Sequence, residues 1–164
     1  MTVRRDSRPA EIIDRLGLSP HPEGGFYREV FRSSLRVQPA DERPSRSALT
    51  TIYYLLVAGT HSRWHRVASD EVWHFYEGDS LELLIADGTC NAFTRVWLGA
   101  GDETQRTYTV VAGCWQAARP AGGYSLMGCS VGPGFEFDDF RLMKDDKACA
   151  ARVRAAGGEF ADLL

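Results

Sequence analysis

At 164 residues, with 44% hydrophobic and 25% charged side chains, the chain is long enough to bury a sizeable core without disulfides or a structural metal. A net charge of −3 and the lack of a polybasic run exclude phosphate backbones and anionic lipid as expected partners, so neither nucleic acid nor membrane is anticipated. No apolar stretch approaches the ~20 residues of a transmembrane helix, and the charged start MTVRRDSRPAE leads into no signal-type apolar core, so a cytoplasmic location is expected.

One domain is expected over residues 1–164, with a flexible tail over 1–8. Ser7, Pro9 and the stripe Ile12, Ile13 and Leu16 predict a short helix that Gly17 ends. The segment HPEGGFYRE from His21 reads as a turn feeding a strand through Arg32, and VQPADERPSR, from Val37 to Arg46, as a loop. Strand follows strand after that: SALTTIYYLLVAG, EVWHFYEG, SLELLIADG, AFTRVWLGAG, TYTVVAGCWQAA and YSLMGCSVGPG are rich in β-branched and aromatic residues and close on glycine or aspartate. That rhythm predicts a sandwich or barrel rather than βαβ units. Glu136, Asp138 and Asp139 alternate with aromatics in GFEFDDF and read as a solvated strand face. KDDKACAARVRAA, from Lys144 to Ala156, predicts a C-terminal helix stopped by Gly157 and Gly158. Cys90, Cys114, Cys129 and Cys149 form no C-x-x-C pair, so no zinc knuckle or redox site is indicated, and they are read as reduced thiols without a role.

The most specific signal is GTHSRWHRVASDEVWHFYEG, from Gly59 to Gly78. Gly59, His65, Glu71 and Gly78 match the first cupin motif, G-x(5)-H-x-H-x(3,4)-E-x(6)-G, while its second histidine position is Val67. In the second motif, G-x(5)-P-x-G-x(2)-H-x(3)-N, Gly113, Pro120 and Gly122 correspond with one extra residue before the proline, but Ser125 and Cys129 stand where histidine and asparagine belong. HPEGGFYREVFRSS, SALTTIYYLL, WHRVASDEVWHFYEGDSLELL and VGPGFEFDDFRL together resemble, from about His21 to Leu142, the cupin family known as DUF985 or Cupin-5. The resemblance implies an all-β fold: a single cupin double-stranded β-helix, the RmlC-like jelly-roll barrel, with a short N-terminal helix and a C-terminal helix, assembled as a homodimer.

His65 and Glu71 are the candidate catalytic pair and also the two surviving candidate metal ligands. A tightly held divalent metal generally needs three or more protein ligands, so no cofactor is expected, with a divalent metal as the alternative. Alternation places Glu71, Trp73 and Phe75 on one strand face and His74 on the other, so His74 would join them only through a bulge. His61 could approach from a turn. Without metal, a histidine held by a carboxylate has a fixed tautomer and a pKa raised by the neighbouring charge, which suits a general base. A proton donor for the opposite face could be Tyr27, taken here as the catalytic candidate, or Tyr53, Tyr54 or Tyr124. Glu23, Arg28, Trp73 and His74 are the candidate substrate-binding residues, Arg28 for an anion.

The expected function is that of a small-molecule-binding cupin, an epimerase- or isomerase-like enzyme acting on a sugar-like metabolite in the barrel mouth. One alternative is a non-catalytic binding or storage-like module. A metal-dependent cupin oxygenase is the second.

Overall fold

The computed structural model describes residues 7–164. Most of the expected 1–8 tail lies outside the described residues, and Arg8 already belongs to the first helix. Helix α1 (Arg8–Leu16) has its proline in the first turn, where the missing N–H costs nothing, and ends on Gly17 at φ 62°, whose N–H caps the Asp14 carbonyl. Thirteen strands follow: β1 (Ser19–Pro20), β2 (Phe26–Arg32), β3 (Arg36–Val37), β4 (Arg46–Ser47), β5 (Thr50–Val57), β6 (Ser62–Val67), β7 (Asp70–Gly78), β8 (Leu81–Ala86), β9 (Phe93–Leu98), β10 (Thr107–Val110), β11 (Trp115–Pro120), β12 (Tyr124–Gly132) and β13 (Phe140–Leu142). Helices α2 (Lys147–Ala156) and α3 (Gly158–Ala161) close the chain, and the Asp146 carboxylate caps α2 by accepting from the Cys149 N–H.

The strands form two antiparallel sheets, one ordered β1-β2-β5-β12-β7-β10 and the other β13-β6-β11-β8-β9, with β3 and β4 paired only to each other. The loop expected over Val37 to Arg46 is therefore bracketed by a short strand pair, and it is pinned rather than free. Arg46 reaches both carboxylate oxygens of buried Asp139 at 2.8 and 2.9 Å, and Arg43 reaches the same carboxylate at 3.2 Å. Asp139 thus departs from the solvated strand face expected of GFEFDDF: Phe137–Asp139 is a single 3₁₀ turn that folds back over the sheets.

Three apolar clusters hold these layers. Inward residues of both sheets, among them Tyr54, Leu56, Trp73, Phe75, Leu83, Leu98 and Met127, fill one end of the barrel. Trp64, Leu84, Trp115, Ala117 and Met143 pack outside the second sheet against Cys149, Ala150 and Val153 of α2. This double burial explains why LELLIA of β8 is apolar nearly throughout: Leu81, Leu83 and Ile85 face the barrel, while Leu84 and Ala86 face the helix. Ile12 and Leu18 seat α1 on Leu55, Val57 and Leu126.

The β7 register decides which of its side chains can reach a site. Glu71, Trp73 and Phe75 are buried, and the irregularity opposite β12 falls between Leu126 and Met127, which pair with Glu77 and Phe75. The bulged residue is Tyr76, beyond His74, so His74 stays on the face opposite Glu71.

Candidate functional site

The barrel end that the core leaves unfilled holds a cavity of about 300 Å³, at the lower end of the range for small-molecule sites. Its walls are apolar: Ile52, Val67, Cys129 and Val131 from the strands, and Phe135 and Phe140 from the segment crossing the mouth. Its inner end carries His21, Glu23, His65 and Glu71. At the mouth Arg32 spans two carboxylates, Glu29 at 2.8 Å and Glu136 at 2.7 Å, beside exposed Phe137.

The hydrogen bonds at the inner end fix where the protons sit. Trp73 Nε1 can only donate, and it lies 2.9 Å from a terminal atom of Gln116, which must be the amide oxygen Oε1. The Gln116 nitrogen therefore points the other way, toward His65 Nε2 at 3.1 Å and Glu71 Oε2 at 2.5 Å, and donates one N–H to each. On the far side of the ring, His65 Nδ1 lies 2.8 Å from the Arg63 carbonyl and 3.0 Å from Glu23 Oε2. Both are acceptors, so Nδ1 carries the hydrogen and Nε2 is the lone-pair nitrogen. Phe140 stacks on the ring, with centroids 5.2 Å apart. The result is a buried chain, Glu23–His65–Gln116–Glu71, with a carboxyl group at each end.

Glu23 is held by the turn that precedes β2. Its own N–H donates to His21 Nδ1 at 3.3 Å, and the Tyr54 hydroxyl donates to the Gly24 carbonyl at 2.8 Å. Gly24 sits at φ 118°, and a Cβ there would lie 2.2 Å from the His61 carbonyl oxygen, so only glycine lets the turn lie against the next loop.

Burial governs the electrostatics. It lowers the pKa of His65 and of His21, and it raises those of Glu71 and Glu23, with the histidine–carboxylate attractions opposing these shifts without reversing them. The expectation of a raised His65 pKa is thereby corrected: desolvation outweighs the attraction of Glu71, and the imidazole is neutral near pH 7.

Of the candidates named from sequence, His65, Glu71, Glu23 and Tyr27 meet at the cavity, where the Tyr27 ring meets His21 edge-on with centroids 4.5 Å apart. Three others are placed elsewhere. Arg28 turns outward, and its guanidinium donates to the Leu16 carbonyl at 2.7 Å, closing the end of α1. Trp73 is packed in the filled end of the barrel and reaches the site through its bond to Gln116. His74 lies on the outer face of β7. The other tyrosines do not line the cavity: Tyr124 donates to Glu77, Tyr53 packs edge-on against Tyr76, and Tyr54 is a core residue that packs against His21. His21, Gln116, Arg32 and Glu29 join the site without having been singled out, and Glu136, expected on a solvated strand face, stands at the cavity mouth. A glutamine in the otherwise apolar run CWQAA was the available signal for Gln116.

These residues do not fit the metal centre considered as an alternative. The sole lone-pair nitrogen of His65 and an oxygen of Glu71, the two candidate ligands, both accept from the same Gln116 amide nitrogen, which occupies the position a shared cation would need. Val67 supplies an apolar wall where a further histidine would stand. Ser125 is fully buried and gives its hydroxyl to the Asp79 carbonyl at 2.6 Å. Among the described residues no group of three or more His, Cys, Asp and Glu side chains is arranged to hold a metal ion.

Two antiparallel sheets closed into a jelly roll, with a pocket at one end, define the cupin class of barrel. The chain belongs to the Cupin_5 family of the cupin superfamily (DUF985), whose family profile matches residues 10–143. It is similar to a solved protein from Shewanella oneidensis at 32% identity, covering 100% of this chain and 98% of that one with a TM-score of 0.80. It is also similar to a hypothetical protein from Leishmania major at 33% identity, covering 88% and 96% with a TM-score of 0.77. A dTDP sugar isomerase from Desulfovibrio desulfuricans shares the fold alone, at 10% identity with a TM-score of 0.55 over 84% of this chain and 92% of that one. No protein of curated function matches the chain. Among the described residues no helix is long and apolar enough to cross a membrane.

Proposed function

We propose that the cavity is a metal-free acid–base site for a small oxygen-rich molecule, and that the chain is an isomerase- or epimerase-like enzyme in which Glu71 moves the proton. The observation that carries this reading is the buried Glu23–His65–Gln116–Glu71 chain opening into a cavity. Two carboxyl groups removed from water without a permanent cation beside them are costly to a fold. A module that only needed to fill its barrel would be served by the aliphatic and aromatic packing seen at the other end. The role first expected of His65 passes to Glu71, because both ring nitrogens of His65 are engaged: it positions Gln116 and Glu23, while Glu71 faces the cavity and burial raises its pKa, making it a stronger base than an ordinary carboxylate. Tyr27, which also lines the cavity, is the proposed acid.

Proton removal next to a carbonyl leaves a trace whatever the product. With the protein in D2O and a panel of aldoses, ketoses, amino sugars and a 4-keto nucleotide sugar, proton NMR is expected to show at least one compound losing its C–H signal at the carbon beside the carbonyl. Compounds that bind in the cavity yet keep every C–H signal would instead support the non-catalytic binding module.

A further inference from the structure

We infer that the cavity selects a polyhydroxylated ligand bearing a protonated amine, rather than a neutral or anionic sugar. The inference names the substrate class of the site proposed above and rests on that placement of the site.

The charges facing the cavity argue for it. Four carboxyl groups, Glu23, Glu29, Glu71 and Glu136, line it against one guanidinium, that of Arg32. Arg32 is itself held between Glu29 and Glu136, so among the described residues the mouth offers an incoming anion no unpaired cation. Arg28, named from sequence as an anion partner, is turned away to the Leu16 carbonyl. Arg63, the other arginine near Glu23, donates to the Pro22 carbonyl at 2.7 Å. At the inner end the hydrogen-bond partners of Glu23 and Glu71 among the described residues are neutral, the Gln116 amide, the His65 Nδ1–H and the Ser62 hydroxyl, although the Arg63 charge also acts on Glu23.

The walls point the same way. Tyr27, Phe135, Phe137 and Phe140 surround the passage, and Phe135 meets Phe137 edge-on at 5.1 Å and Phe140 at 6.2 Å. Aromatic faces attract cations and give nothing to anions. An ammonium group passing them to the inner end would meet a carboxylate in a site of low dielectric, where one charge pair decides among otherwise equal ligands. A carboxylate or phosphate on the same skeleton would meet like charge without a counterion, so the cavity rejects it as well as choosing its opposite.

A matched trio separates charge from shape: glucamine, sorbitol and gluconate share one six-carbon polyol chain and end in an ammonium, a hydroxyl and a carboxylate. None has an acidic C–H, so binding is read independently of any proton transfer. By calorimetry at pH 7.5, glucamine is expected to bind at least about tenfold more tightly than sorbitol, and gluconate more weakly than both. Added salt should weaken glucamine and leave sorbitol unchanged. Glu71→Gln should bring glucamine to within about threefold of sorbitol, and Glu136→Gln, at the exposed mouth, should reduce the preference in part. Gluconate binding as tightly as glucamine, glucamine no tighter than sorbitol, or no binding of glucamine would each overturn the inference. A preference for glucamine alongside failure of the D2O experiment would leave the charge selection standing and remove the enzyme.

Discussion

Gln116→Ala is expected to lower the free energy of unfolding by about 3–4 kcal/mol, a fall in melting temperature of roughly 10 °C for a chain of this size. The side chain is completely buried and serves three partners at once: it accepts from Trp73 and donates to His65 and to Glu71. Alanine strands an indole N–H, an imidazole lone pair and a carboxyl oxygen where water reaches poorly, and the larger part of the cost comes from these unmet groups rather than from lost volume. The control is the pair Gln116→Met and Gln116→Met with Trp73→Phe. Methionine alone should cost nearly as much as alanine, and removing the indole N–H in the double variant should recover part of the loss. Thermal unfolding followed by circular dichroism reads both, and equal stabilities for the single and double variants would show that Trp73 does not depend on this amide.

Glu71→Gln has a larger effect, and it moves two quantities in opposite directions. Deuterium incorporation into any compound that wild-type protein labels is expected to fall by ~10²–10⁴-fold, the usual contribution of one positioned acid–base group. Stability should rise at pH 8, by about 1–2 kcal/mol, since the amide keeps the bond from Gln116 without burying a charge. The pH dependence follows from the direction of the shift. The ordinary carboxyl pKa is 4.5 and the folded value lies above it, so on raising the pH the unfolded chain gives up this proton first, and wild-type stability falls as the pH climbs from 4.5 through the folded pKa. The glutamine variant lacks that loss. Its advantage should be absent at pH 4 and full above the folded pKa, and an advantage independent of pH would mean that Glu71 does not carry the shift. Glu23 acts in the same sense as Glu71. His21 and His65 act in the opposite one: their folded pKa lies below the ordinary 6.5, so the unfolded chain takes up protons first and stability is lost as the pH drops below 6.5.

The fold was legible in the sequence because its signals are local. Pro9 and Gly17 bound α1, glycine and aspartate punctuate the strands, and the spacing of His65, Glu71 and Gly78 marks one strand pair of the barrel. Period-two alternation along β7 also placed Glu71 inward and His74 outward, as the register confirms. The site was legible only in part, because its selection is tertiary. Arg28 and Glu29 are adjacent in sequence, yet one ends on the Leu16 carbonyl and the other pairs with Arg32 at the cavity mouth. Gln116 gains its meaning from two strands distant in the sequence, β6 and β7, whose side chains its amide joins. GFEFDDF alternates like a strand, but Arg46 captures Asp139 and draws the segment into a turn, which brings Phe135, Phe137 and Phe140 around the mouth. The direction of the His65 shift was beyond reach for the same reason: motif spacing shows the neighbouring carboxylate but not the depth of burial.

The proton arrangement of the inner chain is the claim on which the site reading stands, and nitrogen-15 NMR of the histidine side chains at pH 7 tests it most directly. His65 is expected to show one protonated and one lone-pair ring nitrogen, with the hydrogen on Nδ1, and to take up a second proton only below pH 6.5. An imidazolium at pH 7, or a hydrogen on Nε2, would mean that Gln116 does not face His65 as described, and the assignment of Glu71 as the proton-moving group would fall with it.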